Sequence, residues 1–267
     1  MAVELEFEKR PKFITAITDS LVMIRRSSTH IIRNTDQLLG TFFQPIMFLV
    51  LFSAVYSGAI ETGSEESYTN YLMAGLIVQT LAFGSTTTAL AVANDLQRGI
   101  VDRFRSLPMN NLAVLNGHVV SDVFRNMISA AVLIIAGFVI GFRPNADLAD
   151  WGLLVGLTIL LTLSFSWLSA ILGIVAKSIE GVQWLSFVVV FPLTFASSAF
   201  VKPELMTSWL RGFAENQPIT HIVDTYRSLL LGNPLDDSWW IATLWLVGII
   251  VVSMPVAAWL FKRKTSV

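Results

Sequence analysis

Trp239–Phe261 reads WWIATLWLVGIIVVSMPVAAWLF without one charged side chain, and Lys262, Arg263 and Lys264 follow it at once. A helix rises 1.5 Å per residue, so roughly 20 apolar residues cover the ~30 Å hydrocarbon core of a bilayer. This run is long enough to cross. Five more precede it, at Leu38–Ile60, Tyr71–Ala93, Val119–Phe142, Trp151–Ala176 and Val182–Phe200. None shows the alternation of a barrel strand, so each backbone must satisfy its own hydrogen bonds as a helix. The expectation is an all-α, polytopic membrane protein with six transmembrane helices in a single transmembrane domain, 1–267.

Composition agrees with that expectation. The chain has 267 residues, 54% hydrophobic and 14% charged, with a mean hydropathy of +0.65; soluble domains carry about a quarter charged residues. A net charge of −1 argues against a nucleic-acid partner. With no cysteine there is no disulfide framework and no thiolate metal site. Met1–Arg10 is polar and acidic and lacks an apolar h-region, so no cleaved signal peptide is expected.

Charge sets the orientation, because Lys and Arg are retained on the cytoplasmic side of short loops. Lys9, Arg10, Lys12, Arg25, Arg26 and Arg33 precede the first span, Arg98, Arg103 and Arg105 follow the second, Lys177 follows the fourth, and the basic tail follows the sixth. The opposite side holds only Arg143, Lys202, Arg211 and Arg227. Both termini are therefore expected in the cytoplasm.

Three segments outside the spans carry pattern. In 1–37, Phe13, Ile17, Leu21 and Ile24 recur at helical spacing beside Arg25 and Arg26, which reads as an amphipathic helix on the inner membrane surface or as a plain basic flank. In 95–108, Ile100, Val101, Phe104 and Leu107 share helical spacing, while Asp102, Arg103 and Arg105 take other faces. Gly99 permits a sharp bend on leaving the span, and Pro108 stops a helix at Leu107. This short cytoplasmic peg is either a docking element for a partner or a charged connector at the lipid headgroups. In 202–238, Leu205, Trp209, Leu210 and Phe213 form one apolar stripe, and Ile219, Ile222, Val223, Tyr226, Leu229 and Leu230 form a second. Asn216 and Pro218 suit a helix start, Gly232 and Pro234 a stop. Two external amphipathic helices follow, either a re-entrant lid over the bundle or an interfacial pair without a gating role.

Inside the spans, ionisable residues are functional suspects. Only Asp122 and Arg125 qualify, near the expected cytoplasmic end of the third span; three apart, they share a helix face and read as a structural or interface pair rather than a transport relay. No carboxylate is expected at mid-membrane, which leaves an ion-coupled transporter little to work with. Phe187, Phe191 and Phe195 recur every four residues in the fifth span, either lining an apolar substrate path or packing helices. Gly137 with Gly141, and Gly152 with Gly156, have the spacing that allows close helix contact. No P-loop, H-E-x-x-H or G-x-S-x-G motif occurs, so no enzyme activity is expected. His30, His118 and His221 fall in separate extramembrane segments by this reading, which argues against a metal cluster.

Six helices, cytoplasmic termini, a peg after the second helix and a long amphipathic segment before the sixth resemble the membrane subunits of ABC-2 type exporters, most closely the daunorubicin-resistance class of bacterial ABC permeases. The likeness covers nearly the whole chain. Its most specific block is Gly99-Ile-Val-Asp102-Arg103-Phe104-Arg105-Ser-Leu107-Pro108, with Asp122 and Arg125 after it. A second block runs Ser197-Ser198-Ala199-Phe200-Val201, then Trp209-Leu210, Asn216-Gln217-Pro218-Ile-Thr220, Asp224, Arg227 and Gly232; a third is Gln44-Pro45-Ile46-Met47. Thr35 and Thr207-Ser208 stand where relatives often carry proline.

The resemblance implies a type V exporter transmembrane domain in the bacterial cytoplasmic membrane. It implies pairing with a second permease subunit, identical or homologous, among membrane lipids. Two cytoplasmic ABC ATPase subunits would bind ATP and Mg; this chain would hold no cofactor. The peg would be the coupling helix seated on the ATPase, with Phe104 and Leu107 giving apolar contact, Arg103 and Arg105 pairing charge, and Gly99 and Pro108 fixing the angle. Trp209, Asn216, Pro218, Asp224 and Arg227 would belong to an external gate. The cargo would be amphipathic: a drug, an antibiotic or a lipid. An ion-coupled secondary transporter, a permease for polysaccharide or glycolipid, and a membrane scaffold are the alternatives.

Overall fold

The computed structural model describes residues 35–56, 68–99 and 112–265, and every regular element among them is helical. The stripe at Phe13–Ile24, the loop carrying Glu61, Glu65 and Glu66, and the peg beyond Gly99 lie outside the described residues. In chain order the elements are α1 (Thr35–Tyr56), α2 (Tyr68–Gly84), α3 (Thr86–Gln97), α4 (Leu112–Ile140), α5 (Leu148–Val175), α6 (Ile179–Phe195), a 3-10 turn (Pro203–Leu205), α7 (Ser208–Asn216), α8 (Pro218–Leu231) and α9 (Ser238–Thr265).

Among the described residues four helical stretches are long and apolar enough to cross a membrane: Tyr68–Gln97, Ala113–Ile140, Leu148–Val175 and Ser238–Lys264. Two apolar helices are shorter, Phe43–Val55 and Ile179–Phe195. Side chains close the helix ends. Asp147 and Asp150 form a reciprocal capping box at the start of α5, and Ser178 caps α6 through the Gly181 N–H. The Lys264 ammonium of α9 donates to the Ile174 and Ala176 carbonyls at the end of α5, where the helix dipole is negative.

The boundaries depart from the sequence reading where packing outweighs hydropathy. The second span is interrupted at Ser85. α4 begins at Leu112, two turns before the expected Val119, because Leu115 and Val119 are both buried against α5 and α9. His118 is thus a helix residue rather than a loop residue, and its Nε2 lies 2.9 Å from Asp95 Oδ2. Asp95 itself is in α3, so the segment expected to begin at Asp95 leaves the helix only at Gly99, whose φ of +61° is left-handed. α6 ends at Phe195 rather than Phe200, its last carbonyls taken by Gln217.

The apolar interior is divided. One large cluster joins α1, α2, α4, α5, α6, α8 and α9 around Leu72, Leu76, Leu81, Leu133, Phe165 and Tyr226. A smaller one at the Gly99 end joins α3, α4, α5 and α9 through Val92, Leu115, Trp167, Ile174 and Phe261. Close backbone approaches occur at Gly75, against Ala199, Gly173, against Ala89, and Gly232, against Asn145; a Cβ at any of them would overlap the neighbouring carbonyl. Of the glycine pairs expected to make such contacts, Gly152, Gly156 and Gly141 have nothing near them and only Gly137 is packed, against Met73.

Candidate functional site

Three features meet the criteria of a site: a groove, a buried polar layer and a cluster on α8. The groove runs between α1, α2, α3 and α6. Phe187, Phe191 and Phe195 stack along it with ring centroids 4.8 and 4.2 Å apart, and the ladder continues to Phe200 at 5.0 Å and Phe52 at 4.9 Å. The repeat follows from helical geometry, since residues four apart lie above one another on one face. Beside the ladder is a half-open cavity of about 380 Å³ that also meets Gln44, Phe48, Gln79, Phe83, Thr86, Leu90, Gln183 and Ser186. A second cavity of about 260 Å³ shares Gln44, Phe48, Gln79, Phe83 and Thr86 and reaches Gly84 and Thr87. Among the described residues no ionisable side chain lines either cavity. Ser186 Oγ is buried at the wall without a partner, which leaves it free to bond a guest. Sequence reasoning found the three phenylalanines but missed Gln79 and Ser186, which only the approach of α2 to α6 brings together.

Behind the second cavity lies the polar layer. Arg125 and Asp122 form the ion pair expected from their spacing, both almost wholly buried. Their other partners come from separate helices. Ser166 of α5 donates to Asp122 Oδ2 at 2.5 Å, and Thr87 Oγ1 of α3, whose proton is shared with the Gly84 carbonyl, lies 3.3 Å from Oδ1. Arg125 Nη2 donates to the Gly84 carbonyl at 2.5 Å. Asn126 Nδ2 donates to Leu81 O at 3.3 Å, to Ser85 Oγ at 3.2 Å and to Thr162 Oγ1 at 3.5 Å. Gly84 is near the middle of the Tyr68–Gln97 stretch, so the pair sits deeper than the end-of-span position expected from the sequence. The cause is the extra length of α4.

The third feature gathers residues far apart in sequence. Arg227 Nη1 bonds Asp224 Oδ1 at 2.6 Å, one turn away on α8. Ser198 Oγ donates to the same oxygen at 2.8 Å, and Arg227 Nη2 donates to the Ser198 carbonyl at 2.8 Å. Tyr71 of α2 donates to that carbonyl as well, at 2.9 Å, and its ring lies 3.8 Å from the Arg227 guanidinium carbon. Burial raises the Asp224 carboxyl above its ordinary range; Arg227 and the Ser198 hydroxyl pull it back without cancelling that rise. Gln217 Nε2 holds the Leu193 and Ala196 carbonyls at 2.8 and 2.7 Å.

Residues 18–231 match the family model for ABC-2 type transporters. The chain belongs to that family. It is 30% identical over 263 residues to the daunorubicin resistance ABC transporter permease protein DrrB1 of Streptomyces coeruleorubidus, covering 97% of this chain and 91% of that protein. It is 20% identical over 245 residues to a probable doxorubicin resistance ABC transporter permease, DrrC, of Mycobacterium tuberculosis, covering 90% and 87%. A putative transport permease, ycf38, of Cyanophora paradoxa is 26% identical over 218 residues, covering 80% of this chain and 74% of that one.

This ABC-2 permease therefore brings only some of the sequence-derived residues together. Asp224 and Arg227 meet at the Ser198 turn, while Pro218 opens α8 as the sequence predicts, with Gly232 closing it at φ +68°. α8 lies on the bundle with Ile219, Ile222, Val223 and Tyr226 buried. Trp209 stands apart on α7, 77% exposed, and Asn216 Nδ2 only closes its own helix at Gly212 O. Gly99 ends α3; Asp102, Arg103, Phe104, Arg105, Leu107 and Pro108 of the permease lie outside the described residues. Among the described residues no three His, Asp or Glu side chains come together as metal ligands.

Proposed function

We propose that this permease is the membrane subunit of an ATP-driven exporter for an amphipathic, ring-bearing compound. The observation that carries the reading is the groove, whose wall of stacked phenylalanines is faced by uncharged glutamine, serine and threonine side chains. Such a wall stacks a planar apolar ring and offers hydrogen bonds to its polar edge, without favouring an ion. The names of the anthracycline-resistance relatives agree in chemical class.

In this reading six helices cross the cytoplasmic membrane and both termini are inside. The Gly99 end faces the cytoplasm and the Ser198 cluster faces out, where Pro218, Asp224 and Arg227 hold the external gate. The segment from Gly99 to Pro108 seats on a cytoplasmic ABC ATPase, with Phe104 and Leu107 as apolar contacts and Arg103 and Arg105 as charge partners. Two such ATPase subunits, holding ATP and Mg, drive two permease subunits.

The test is efflux of daunorubicin, followed by its fluorescence, from vesicles carrying the permease and its co-purified ATPase. Vanadate should stop it. Efflux that survives vanadate and collapses with a protonophore would instead make this a secondary transporter.

A further inference from the structure

The interruption of the second span at Gly84–Ser85 is built by side chains. Ser85, Thr86 and Thr87 turn their hydroxyls back onto the Leu81, Phe83 and Gly84 carbonyls at 2.9, 2.7 and 3.0 Å. Thr88 N donates to Ser85 O at 3.1 Å, the tighter i+3 bond of a local 3-10 turn. Back-bonding of this kind bends helices. In a bilayer the carbonyls released by a bend need partners from protein, and Arg125 supplies one to Gly84.

The two halves of this span have different chief partners, while α4, α5 and α9 run through both clusters. α2 is tied to the Ser198 turn by Tyr71 and by the contact of Gly75 with Ala199, and its residues sit in the large apolar cluster. α3 is tied to α5 by the contact of Ala89 with Gly173, and its Val92 sits in the smaller cluster with Trp167 and Phe261. The layer of Asp122, Arg125, Asn126 and Ser166 lies where the two meet. α3 ends at Gln97, two residues before Gly99.

We infer that Arg125 is a positioning residue for coupling, holding a pivot at Gly84–Ser85 about which α3 turns with the segment after Gly99 while α2 stays with the Ser198 turn. The inference rests on the proposed exporter reading, in which that segment meets the ATPase. Thr86, Thr87 and Leu90 line the cavities from the moving side, Gln79 and Thr80 from the fixed side, so the pivot opens and closes the groove.

Because the chain has no cysteine, single-cysteine variants report the motion. Leu90→Cys on α3 and Thr80→Cys on α2 are labelled with a water-soluble maleimide in the transporter assembled with its ATPase subunits. Labelling rates are compared without nucleotide and after vanadate trapping. The pivot predicts that the rate at residue 90 changes about tenfold or more and that at residue 80 less than about twofold. Equal changes at both positions overturn it, as does an unchanged rate at residue 90 in a transporter whose export vanadate still stops. Export indifferent to vanadate removes the exporter reading itself, and the pivot with it. In a second arm, Asp122→Leu with Arg125→Met replaces the buried pair by apolar groups of similar volume, a change folds often tolerate. Vanadate-sensitive hydrolysis should persist while the response at residue 90 is lost; a retained response overturns the role of Arg125.

Discussion

The side-chain amide of Asn126 occupies the space that a side chain at Gly84 would need. A Cβ built on Gly84 falls within bonding-range overlap of Asn126 Oδ1 and against its Cγ, while the same amide bonds Leu81 O and Ser85 Oγ across the helix break. The glycine and the asparagine are one packing unit.

Gly84→Ala is therefore expected to destabilise the permease by about 1–3 kcal/mol, the range for overpacking a well-filled interior. Asn126→Ala in the same chain should recover part of that loss, with a coupling above about 0.5 kcal/mol. Unfolding of the two single variants and the double variant in detergent measures it; strict additivity would show that the two residues do not share the space.

Tyr226 is fully buried in α8, with its hydroxyl 2.8 Å from Thr158 Oγ1. Burial pushes its ionisation well above the ordinary tyrosine value. Thr158 also donates to Leu154 O at 2.7 Å, so Tyr226→Phe leaves no orphaned donor. The expected cost is about 1 kcal/mol, the net value of one hydrogen bond, whereas Tyr226→Ala should cost about 3–5 kcal/mol by opening a cavity. Thermal unfolding that ranks the two variants equally would refute the packing role.

Asp224 gives the Ser198 cluster a pH dependence. Its carboxyl is raised chiefly by burial, so the folded protein binds that proton more tightly than the unfolded chain. The associated stability is present below the unfolded value and is lost as pH rises through the raised folded value. Thermal unfolding across the acid range should show this component in the native permease and lose it in Asp224→Asn, which keeps a hydrogen-bonding group for Ser198. An unaltered pH profile in that variant would remove the assignment.

Phe191 and Phe195 stack face to face at 4.2 Å beside the cavity. Replacing either by alanine should raise the KM for daunorubicin efflux by about two- to tenfold, the equivalent of one aromatic contact, with ATP hydrolysis retained. Unchanged efflux kinetics in Phe191→Ala and Phe195→Ala together would make the ladder a packing device.

Gly99 ends α3 in the left-handed region, where a β-branched side chain costs roughly 1–2 kcal/mol. Gly99→Val combined with Phe104→Ala should leave the permease in the membrane and its ATPase active, but uncouple hydrolysis from export. Full export by the double variant would refute the coupling role of this segment.

How much of this was legible in the chain varies with distance along it. α8 was, because Pro218 at its start and Gly232 at its end are local signals of helix geometry. So was the Asp122–Arg125 pair, whose members are one turn apart on one helix. The start of α4 at Leu112 was not: Asn116, Gly117 and His118 interrupt the hydropathy, and only burial of Leu115 and the Asp95 contact make that turn helical. Hydropathy also ran α6 on to Phe200, since it cannot see Gln217 taking the carbonyls at the helix end. The break at Ser85 left a trace in the run Gly84-Ser85-Thr86-Thr87-Thr88, which the apolar average around it concealed.

By itself, the sequence determined that this chain is a bundle of apolar helices, because a backbone in hydrocarbon has no water to bond and must form its own hydrogen bonds. Length and local caps then determined where most helices run. Only the tertiary structure decided which polar groups share a space: the Ser166 and Thr87 side chains and the Gly84 carbonyl around Asp122 and Arg125, and Ser198 and Tyr71 around Asp224 and Arg227. Those groups lie tens of residues apart, and in a dry interior their partners are chosen by which helices pack, a relation no local pattern encodes.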